Sequence, residues 1–143
     1  SNTSNITLTA ANLATARQNH MATVDDQGDI LNVTPDLILV PPELEDQAKI
    51  LTGSALDPTS AQNALNPQAG RFQYKVWHYL SSATNWFLID TGLMKQALTW
   101  YERVPLEFGP ESLDSETMQF KMLAYNRFSR GFSDWRWVYG CGV

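Results

Sequence analysis

The sequence predicts an α+β fold with about two helices and a mostly antiparallel sheet. One observation is a change of hydrophobic period, from helical spacing early in the chain to apolar–polar alternation from Arg71 onward. Another is the distribution of the 5 Trp, 5 Tyr and 6 Phe, all of which lie between Phe72 and Tyr139. Because 143 residues can form one hydrophobic core, we expect a single domain over residues 1–143.

The first predicted helix begins after Thr9, a residue type that caps helices well, and runs to about Met21. Within it, Ala10, Leu13 and Ala14 fall on one face, and Met21 lies farther along the same face.

A strand followed by a helix is predicted next. Leu37–Val40 is a continuous apolar run, typical of a strand covered on both faces. Pro41 and Pro42 end the strand because proline has no backbone N–H to donate. Acidic residues then favour a helix start, Gly53 is expected to supply a left-handed C-cap, and the buried stripe should be Leu44, Ala48 and Leu51.

Ser54–Gly70 is a predicted long loop, which contains two prolines. Phe72–Leu80 then alternates with a period of two and is predicted as a strand. After a turn, Trp86–Ile89 reads as a second buried strand, which Thr91 and Gly92 are expected to end.

The remaining predicted elements are extended. Leu98–Arg103 and Pro105–Phe108 are two short pieces, and Thr117 to about Arg130 is one long strand. Trp135–Tyr139 is expected to return beside that strand, which places Trp135, Trp137 and Tyr139 on one side of a ribbon. Long paired strands of this kind form extended, twisted ribbons.

The net charge of −5 is unevenly distributed. Residues 1–70 hold eight acidic and two basic residues, a net of −6, whereas residues 71–143 hold seven acidic and eight basic, a net of +1. No apolar run approaches the roughly 20 residues of a membrane helix, and Ser1–Asn5 has no features of a secretory signal. We expect no membrane partner.

No pattern in the sequence is typical of a metal site. His20 and His78 lie in different predicted elements and have no nearby His or Cys partner. Asp25–Asp29 resembles part of a calcium loop, but its glycine is misplaced and no distal glutamate follows at the required spacing. We interpret that segment as a turn and predict no metal and no cofactor.

Enzymatic activity is not predicted either. Cys141, the single cysteine, lies in a glycine-rich segment that we expect to be a flexible end without a nucleophilic role. Glu102 and Glu107 are the candidate pair of carboxylates, and we interpret them as solvated strand residues. We therefore assign no catalytic, cofactor-binding or metal-binding residue.

Single-stranded nucleic-acid binding is an alternative that the last part of the chain leaves open. Basic residues among stackable aromatic residues are typical of such sites. The residues concerned are Lys121, Arg127, Arg130 and Arg136, interleaved with Tyr125, Phe128, Trp135 and Trp137. The excess of basic over acidic residues here is small for a protein that binds nucleic acid without sequence preference. The alternative interpretation is that these basic residues are ordinary surface charges.

The order of these segments resembles the C-terminal part of the Mu-like tailed-phage major head (capsid) subunit. The resemblance covers about Thr7 to Tyr139. The matching stretches are Asp36–Glu45 with Ala48, Asn66–Pro67 with Phe72–His78, Trp86–Asp90, Phe120 with Tyr125–Arg127, and Gly131–Arg136.

The resemblance implies the Hong Kong 97-type capsid fold. On that basis Leu37–Ile89 would mostly belong to an axial domain, with Ser54–Gly70 as an axial loop, and Thr117–Tyr139 would supply peripheral strands. Members of the family are much longer, and their N-terminal arm, extended loop and spine helix have no counterpart before Thr7. The chain is therefore expected to be a C-terminal piece or a truncated relative.

The predicted function is structural: building a phage or prophage capsid shell through self-association, without catalysis. The predicted partners are copies of itself and other phage head proteins, with packaged DNA contacted only indirectly. The expected location is the virion capsid, after assembly in the bacterial cytoplasm. The candidate surfaces for contact between subunits are the loop Ser54–Gly70 and the outer faces of the terminal strands. A head–tail or tail component is the alternative structural role.

Overall fold

The computed structural model describes residues 2–56, 65–114 and 116–142. The chain divides into two compact units. Unit 1 comprises Ser1–Ala97 and Asp134–Val143, and unit 2 comprises Leu98–Ser133. That the two units form a single domain stays a prediction.

Helices and strands are numbered in chain order. The helices are α1 Ala10–Met21, α2 Glu45–Gly53 and α3 Thr91–Ala97, with a 3₁₀ turn at Pro42–Leu44. The strands are β1 Thr3–Ser4, β2 Leu37–Val40, β3 Gln73–Val76, β4 Trp86–Ile89, β5 Leu98–Phe108, β6 Ser112–Asp114, β7 Gln119–Lys121, β8 Ala124–Phe132 and β9 Val138–Cys141. The α+β class and the mostly antiparallel pairing are confirmed.

Unit 1 is built on a five-stranded sheet with the order β1-β9-β4-β2-β3. β4 pairs antiparallel with both β2 and β9, and two parallel pairs, β1 with β9 and β2 with β3, flank that centre. The predicted return of Trp135–Tyr139 beside the long strand is wrong. The last strand lies instead in the unit 1 sheet, with Leu88 opposite Tyr139.

Helix α1 begins as predicted, because the Thr9 hydroxyl oxygen accepts the Asn12 N–H at 3.3 Å. Its buried residues are Leu13, Ala16 and His20. The predicted face of Ala10, Ala14 and Met21 is therefore partly wrong: these three are only half-buried. The i, i+3, i+7 spacing of the buried residues is helical, but the stripe includes a histidine that apolar patterning overlooks.

The strand and helix predicted around Pro41 are both present. Ile38 and Val40 are fully buried in β2, and the 3₁₀ turn leads directly into α2. The predicted left-handed cap is wrong: Gly53 is the last residue of the helix, and Ser54 follows it in an extended conformation with φ −74°. Ala48, Leu51 and Thr52 form the buried side of α2.

Trp86 is the largest fully buried side chain of the described residues. Its indole N–H donates to the Ile6 carbonyl at 3.1 Å, so the buried ring keeps its polar group satisfied. The core around it draws on α1, α2 and the central strands: Leu8, Leu13, Ala16, Ile38, Val40, Ala48, Leu51, Phe72, Leu88, Tyr139 and Cys141.

Two predicted boundaries in the middle of the chain change. The strand predicted over Phe72–Leu80 is shorter and ends at Val76, where a turn takes over. The expected break at Thr91 and Gly92 is the start of α3, a helix beyond the two predicted. Asp90 caps it, with one carboxylate oxygen accepting the Leu93 N–H at 3.0 Å.

Unit 2 is a two-stranded ribbon, β5 with β8, that continues into a smaller hairpin, β6 with β7. The two short pieces predicted around Pro105 form one strand of 11 residues. The long strand predicted from Thr117 to Arg130 is instead interrupted between β7 and β8. Met118 adopts φ +54° ahead of β7, a left-handed conformation that turns the chain.

Candidate assembly surface

The ribbon, defined as Leu98–Ser133 without residue 115, exposes an unusual amount of apolar surface. Thirteen of its large hydrophobic side chains are exposed. They are Leu98, Trp100, Tyr101, Leu106, Phe108, Leu113, Met118, Phe120, Met122, Leu123, Tyr125, Phe128 and Phe132. Contiguous exposed apolar surface of this kind marks sites of interaction with other molecules.

The stem of the ribbon, β5 with β8, carries an ordered aromatic cluster. Leu98 lies opposite Phe132, and Trp100 lies opposite Arg130, so these four side chains share one face. On the same face the rings of Trp100 and Phe128 stack, with centroids 4.4 Å apart and planes inclined by 15°. Trp100 is nevertheless 60% exposed, so the stack offers a flat apolar surface to solvent.

The register of β5 against β8 shifts at two places, between Glu102 and Val104 and between Val104 and Glu107. Each shift sets an extra residue of β5 against β8, as a β-bulge does. Pro105 lies within the second irregularity, where its missing N–H interrupts no regular ladder. The bulges explain how a proline is accommodated inside a continuous strand.

The tip of the ribbon, Gly109–Leu123 without residue 115, is held by a short hairpin. Leu113 lies opposite Phe120, and both are exposed. The Lys121 ammonium lies 2.6 Å from an Asp114 carboxylate oxygen, and this hydrogen bond, helped by backbone N–H groups, lowers the pKa of that carboxyl.

Gly109 joins the tip to the stem. Its N–H donates to the Leu123 carbonyl at 2.7 Å, which continues the antiparallel pairing beyond Phe108. A Cβ at this position would lie 3.3 Å from the Cβ of Leu123, a tight contact. The close approach of the two strands therefore favours glycine here.

The basic residues proposed for nucleic-acid binding are divided between the two units, and two of them are ion-paired. Lys121 is ion-paired in the tip. Arg136 lies in unit 1, where it is ion-paired with Asp26 and, at 3.2 Å, with Asp134. Arg127 and Arg130 remain on the stem, opposite Val104 and Trp100 respectively.

Glu102 and Glu107 do not form a carboxylate pair across the ribbon. Glu102 lies opposite Phe128, whereas Glu107 lies opposite Tyr125. Phe128 and Tyr125 are three residues apart on a regular strand and point to opposite faces. The two glutamates therefore point to opposite faces as well. This arrangement agrees with the interpretation of both glutamates as solvated strand residues.

Only part of the other predicted contact surfaces can be placed. Residues 57–64 of the loop Ser54–Gly70 lie outside the described residues, and its role as a contact stays a prediction. The Asn66 side-chain amide anchors the end of this loop, donating at 2.9 Å to the carbonyls of both Leu51 and Ser54. Of the terminal aromatic residues, Trp135 is 43% exposed and Tyr139 is buried in the core of unit 1.

Cys141 is not in a flexible end, contrary to the prediction. It is fully buried in β9, opposite Trp86, with the Ser4 hydroxyl donating to its sulfur at 3.9 Å. Burial raises the pKa of the thiol to about 11. The reactive thiolate is therefore scarce at neutral pH.

Two further observations concern the described residues. None of their His, Cys, Asp and Glu side chains form a group of three or more that could hold a metal ion. None of the helices in this part of the chain is long and apolar enough to cross a membrane.

The comparison with protein families is decisive for the class of protein. A family model described as phage capsid protein matches residues 1–140. The chain belongs to this family. No curated protein and no solved structure matches the chain. This capsid protein is a structural component of the phage head, located in the virion, and its family membership implies association with itself and with other head components.

The stem of the capsid protein's ribbon is the part of the site that pattern reading underestimated. The alternation of Leu98 and Trp100 with Thr99 and Tyr101 does indicate a strand, but Pro105 divided it in the prediction. Predicting which strand pairs with β5 also required knowing where β8 begins, and the turn at Met118 that precedes β8 was not predicted. The stacked pair of Trp100 and Phe128 follows only once both are known.

Proposed function

We propose that the capsid protein builds the phage shell by self-association through its ribbon. The observation that supports this most directly is the exposure of apolar side chains along both stem and tip, at Trp100, Phe108, Met118, Phe120 and Phe132 among others. Leaving such side chains in water forgoes about 1.5–3 kcal/mol for each one that could be fully buried. Burial against a neighbouring subunit would recover this free energy.

We also propose the Hong Kong 97-type fold and a Mu-like head protein as the closer description. In this proposal unit 1, with its strand-to-helix segment Leu37–Gly53, corresponds to the axial domain. Unit 2, with its paired strands β5 and β8, corresponds to the peripheral strands. The order of these segments along the chain supports the assignment, and β9 would be the chain's return to the axial domain.

The remaining elements of the proposal concern chemistry and location. The protein would assemble in the bacterial cytoplasm, would contact packaged DNA only indirectly and would catalyse no reaction. The ion pairs of Lys121 with Asp114 and of Arg136 with Asp134 support the indirect contact, because they neutralise two of the four basic residues considered for nucleic-acid binding.

Light scattering coupled to size-exclusion chromatography, over a concentration series of the purified chain, tests the self-association. We expect oligomers whose mass rises with concentration, and weaker association after Phe120→Ser in the tip. Tyr79→Ser is the matched control, because Tyr79 is a 90% exposed aromatic residue in unit 1. A chain that stays monomeric at high concentration, or an equal effect of both substitutions, would refute association through the ribbon.

A further inference from the structure

We propose that His20 acts as a pH-sensitive contact, and that protonation of its ring releases the last turn of α1, Arg17–Met21, from the sheet of unit 1. The rest of the unit 1 core stays folded when the turn is released. This inference concerns unit 1 alone, so it does not depend on association through the ribbon. It is carried by the burial of the ring, by its hydrogen bonding and by the few buried residues that hold α1.

The His20 ring lies against β9 and is 1% exposed. Its centroid is 5.8 Å from that of the Tyr139 ring, and Nε2 lies 3.0 Å from the Arg136 carbonyl oxygen. Because a carbonyl oxygen only accepts, Nε2 carries the proton of the neutral ring. Nδ1 is buried without a hydrogen-bond partner among the described residues. Protonation would therefore bury a charge together with an N–H group that has no acceptor.

Charged and titratable side chains on the elements packed against His20 do not offset this cost. Asp90, which follows β4, is the acidic residue whose charge favours the protonated ring, but both of its oxygens already accept backbone N–H groups. Arg17 lies one turn earlier on α1 and is positive, as the protonated ring would be. Tyr139 presents an aromatic ring. Burial lowers the pKa of His20 more than the Arg136 carbonyl and Asp90 raise it.

Arg136, whose carbonyl accepts the hydrogen bond from Nε2, has a positive side chain of its own. Its guanidinium is ion-paired with Asp26 and, at 3.2 Å, with Asp134. These two carboxylates therefore already have a cationic partner, and neither is an unpaired acceptor for a protonated His20 ring.

The last turn of α1 depends on His20 for its packing against β4 and β9. Of the five described residues Arg17–Met21, only His20 is buried, whereas the earlier turns bury Leu13 and Ala16. A protonated His20 that moves into water therefore separates the last turn, while Leu13 continues to hold the first half of the helix in the core. A helix end without packing frays in water, because most helical stability in proteins comes from tertiary packing.

Amide hydrogen exchange followed by NMR between pH 7.5 and pH 5 tests the inference. Only the released form binds the proton readily, so the equilibrium constant for release should rise about tenfold for each pH unit below the ordinary His pKa of about 6.5. The protection of the Arg17–Met21 amides should fall by the same factor, after correction for the pH dependence of the intrinsic exchange rate. The amides of Ile38 and Leu88, which lie opposite each other in the central strands β2 and β4, should keep their protection.

Substitutions at His20 should change the response in two opposite ways. His20→Gln keeps a side-chain N–H for the Arg136 carbonyl and removes the titration, so the protection of the last turn should no longer depend on pH. His20→Lys carries a charge throughout this pH range when the turn is released, so the last turn should already be weakly protected at pH 7.5. His78→Gln, at an exposed position, is the control and should respond as the wild type does.

Three results would overturn the inference. Unchanged protection of the last turn between pH 7.5 and pH 5 in the wild type would show that proton binding does not release it. An equal loss of protection at Ile38 and Leu88 would show that acid unfolds the whole of unit 1. A His20→Gln variant that keeps the wild-type pH dependence would assign the response to another group, and this comparison decides by itself if His20→Lys does not fold.

Discussion

The Nε2 atom of His20 lies 3.0 Å from the backbone carbonyl oxygen of Arg136, which ties α1 to the segment before β9. A carbonyl oxygen only accepts, so Nε2 carries the proton. The other ring nitrogen, Nδ1, is buried and has no hydrogen-bond partner. Burial lowers the pKa of His20, while the Arg136 carbonyl and the charge of Asp90 partly oppose that shift.

The capsid protein should lose stability as the pH falls below the ordinary His pKa of about 6.5. Below that value the unfolded chain binds a proton at His20 that the folded chain resists, so protonation favours unfolding. Above it both states are neutral and the full stability is present. Urea unfolding followed by tryptophan fluorescence between pH 8 and pH 5 measures the slope.

His20→Gln keeps a side-chain N–H donor and removes the titration, so the slope in this pH window should flatten. His78→Gln is the control, because His78 is exposed, and it should leave the slope unchanged. The lowered carboxyl pKa values of Asp25, Asp114 and Asp134 act only at more acidic pH, where protonation removes their stabilisation. Equal slopes for wild type and His20→Gln would contradict the prediction.

Trp86→Ala should destabilise the protein by about 3–5 kcal/mol, the usual cost of removing a large buried aromatic side chain. The substitution leaves a cavity in the centre of the core and deprives the Ile6 carbonyl of its donor. Trp77→Ala, at a 48% exposed position, should cost about 1 kcal/mol or less. Urea unfolding of the two variants compares the costs, and similar values would mean that the core is not centred on Trp86.

Asp90→Ala should cost about 2–3 kcal/mol, because the Asp90 carboxylate makes two hydrogen bonds in a buried site. One oxygen caps α3 through the Leu93 N–H, and the other accepts the Thr34 N–H at 2.9 Å. Asp90→Asn retains one acceptor and should cost about half as much. Thermal unfolding measures both destabilisations, and Asp29→Ala, at an exposed position, is the control that should change stability little. Equal destabilisation by Asp90→Asn and Asp90→Ala would argue against a role for both carboxylate oxygens.

Three glycine-to-alanine substitutions should give three different results. Gly142 has φ +74° and a Cβ there would lie 2.6 Å from the Thr84 carbonyl oxygen, so Gly142→Ala combines a clash with strain. Gly28 has φ +95° with open space, so its substitution should cost about 1–2 kcal/mol from the left-handed backbone alone.

Gly53→Ala, in contrast, should stabilise the protein by up to about 1 kcal/mol, because Gly53 is helical and a Cβ meets nothing within 4 Å. We expect the order of stability to be Gly53→Ala, Gly28→Ala, then Gly142→Ala in urea unfolding. A neutral Gly142→Ala would show that β9 tolerates movement at its end.

Local signals in the sequence predicted the elements whose stability is local. The cap at Thr9, the apolar runs Leu37–Val40 and Trp86–Ile89, and the prolines at 41 and 42 each act within a few residues. Helix α3 was missed although Asp90 is a good capping residue, because Gly92 in its first turn suggested a break.

Pairing between distant strands could not be predicted in the same way. Val138–Cys141 pairs with Trp86–Ile89, about fifty residues earlier, and nothing within either segment names its partner. The interruption of the long predicted strand depends on Met118, a residue with no intrinsic preference for a left-handed backbone. An apolar two-stranded ribbon was predicted, but from the wrong strands. The prediction paired residues 117–130 with residues 135–139, whereas β5 pairs with β8.

Leu98 and Phe132 face each other across the first rung of the ribbon, so the chain departs from α3 and comes back toward β9 through neighbouring backbone positions. Topologically, β5 to β8 is an insertion between two parts of an otherwise continuous fold. Paired residues can be added to it or deleted from it without altering the register of the five-stranded sheet. The length of the ribbon can therefore change in evolution while the five-stranded sheet of unit 1 is conserved.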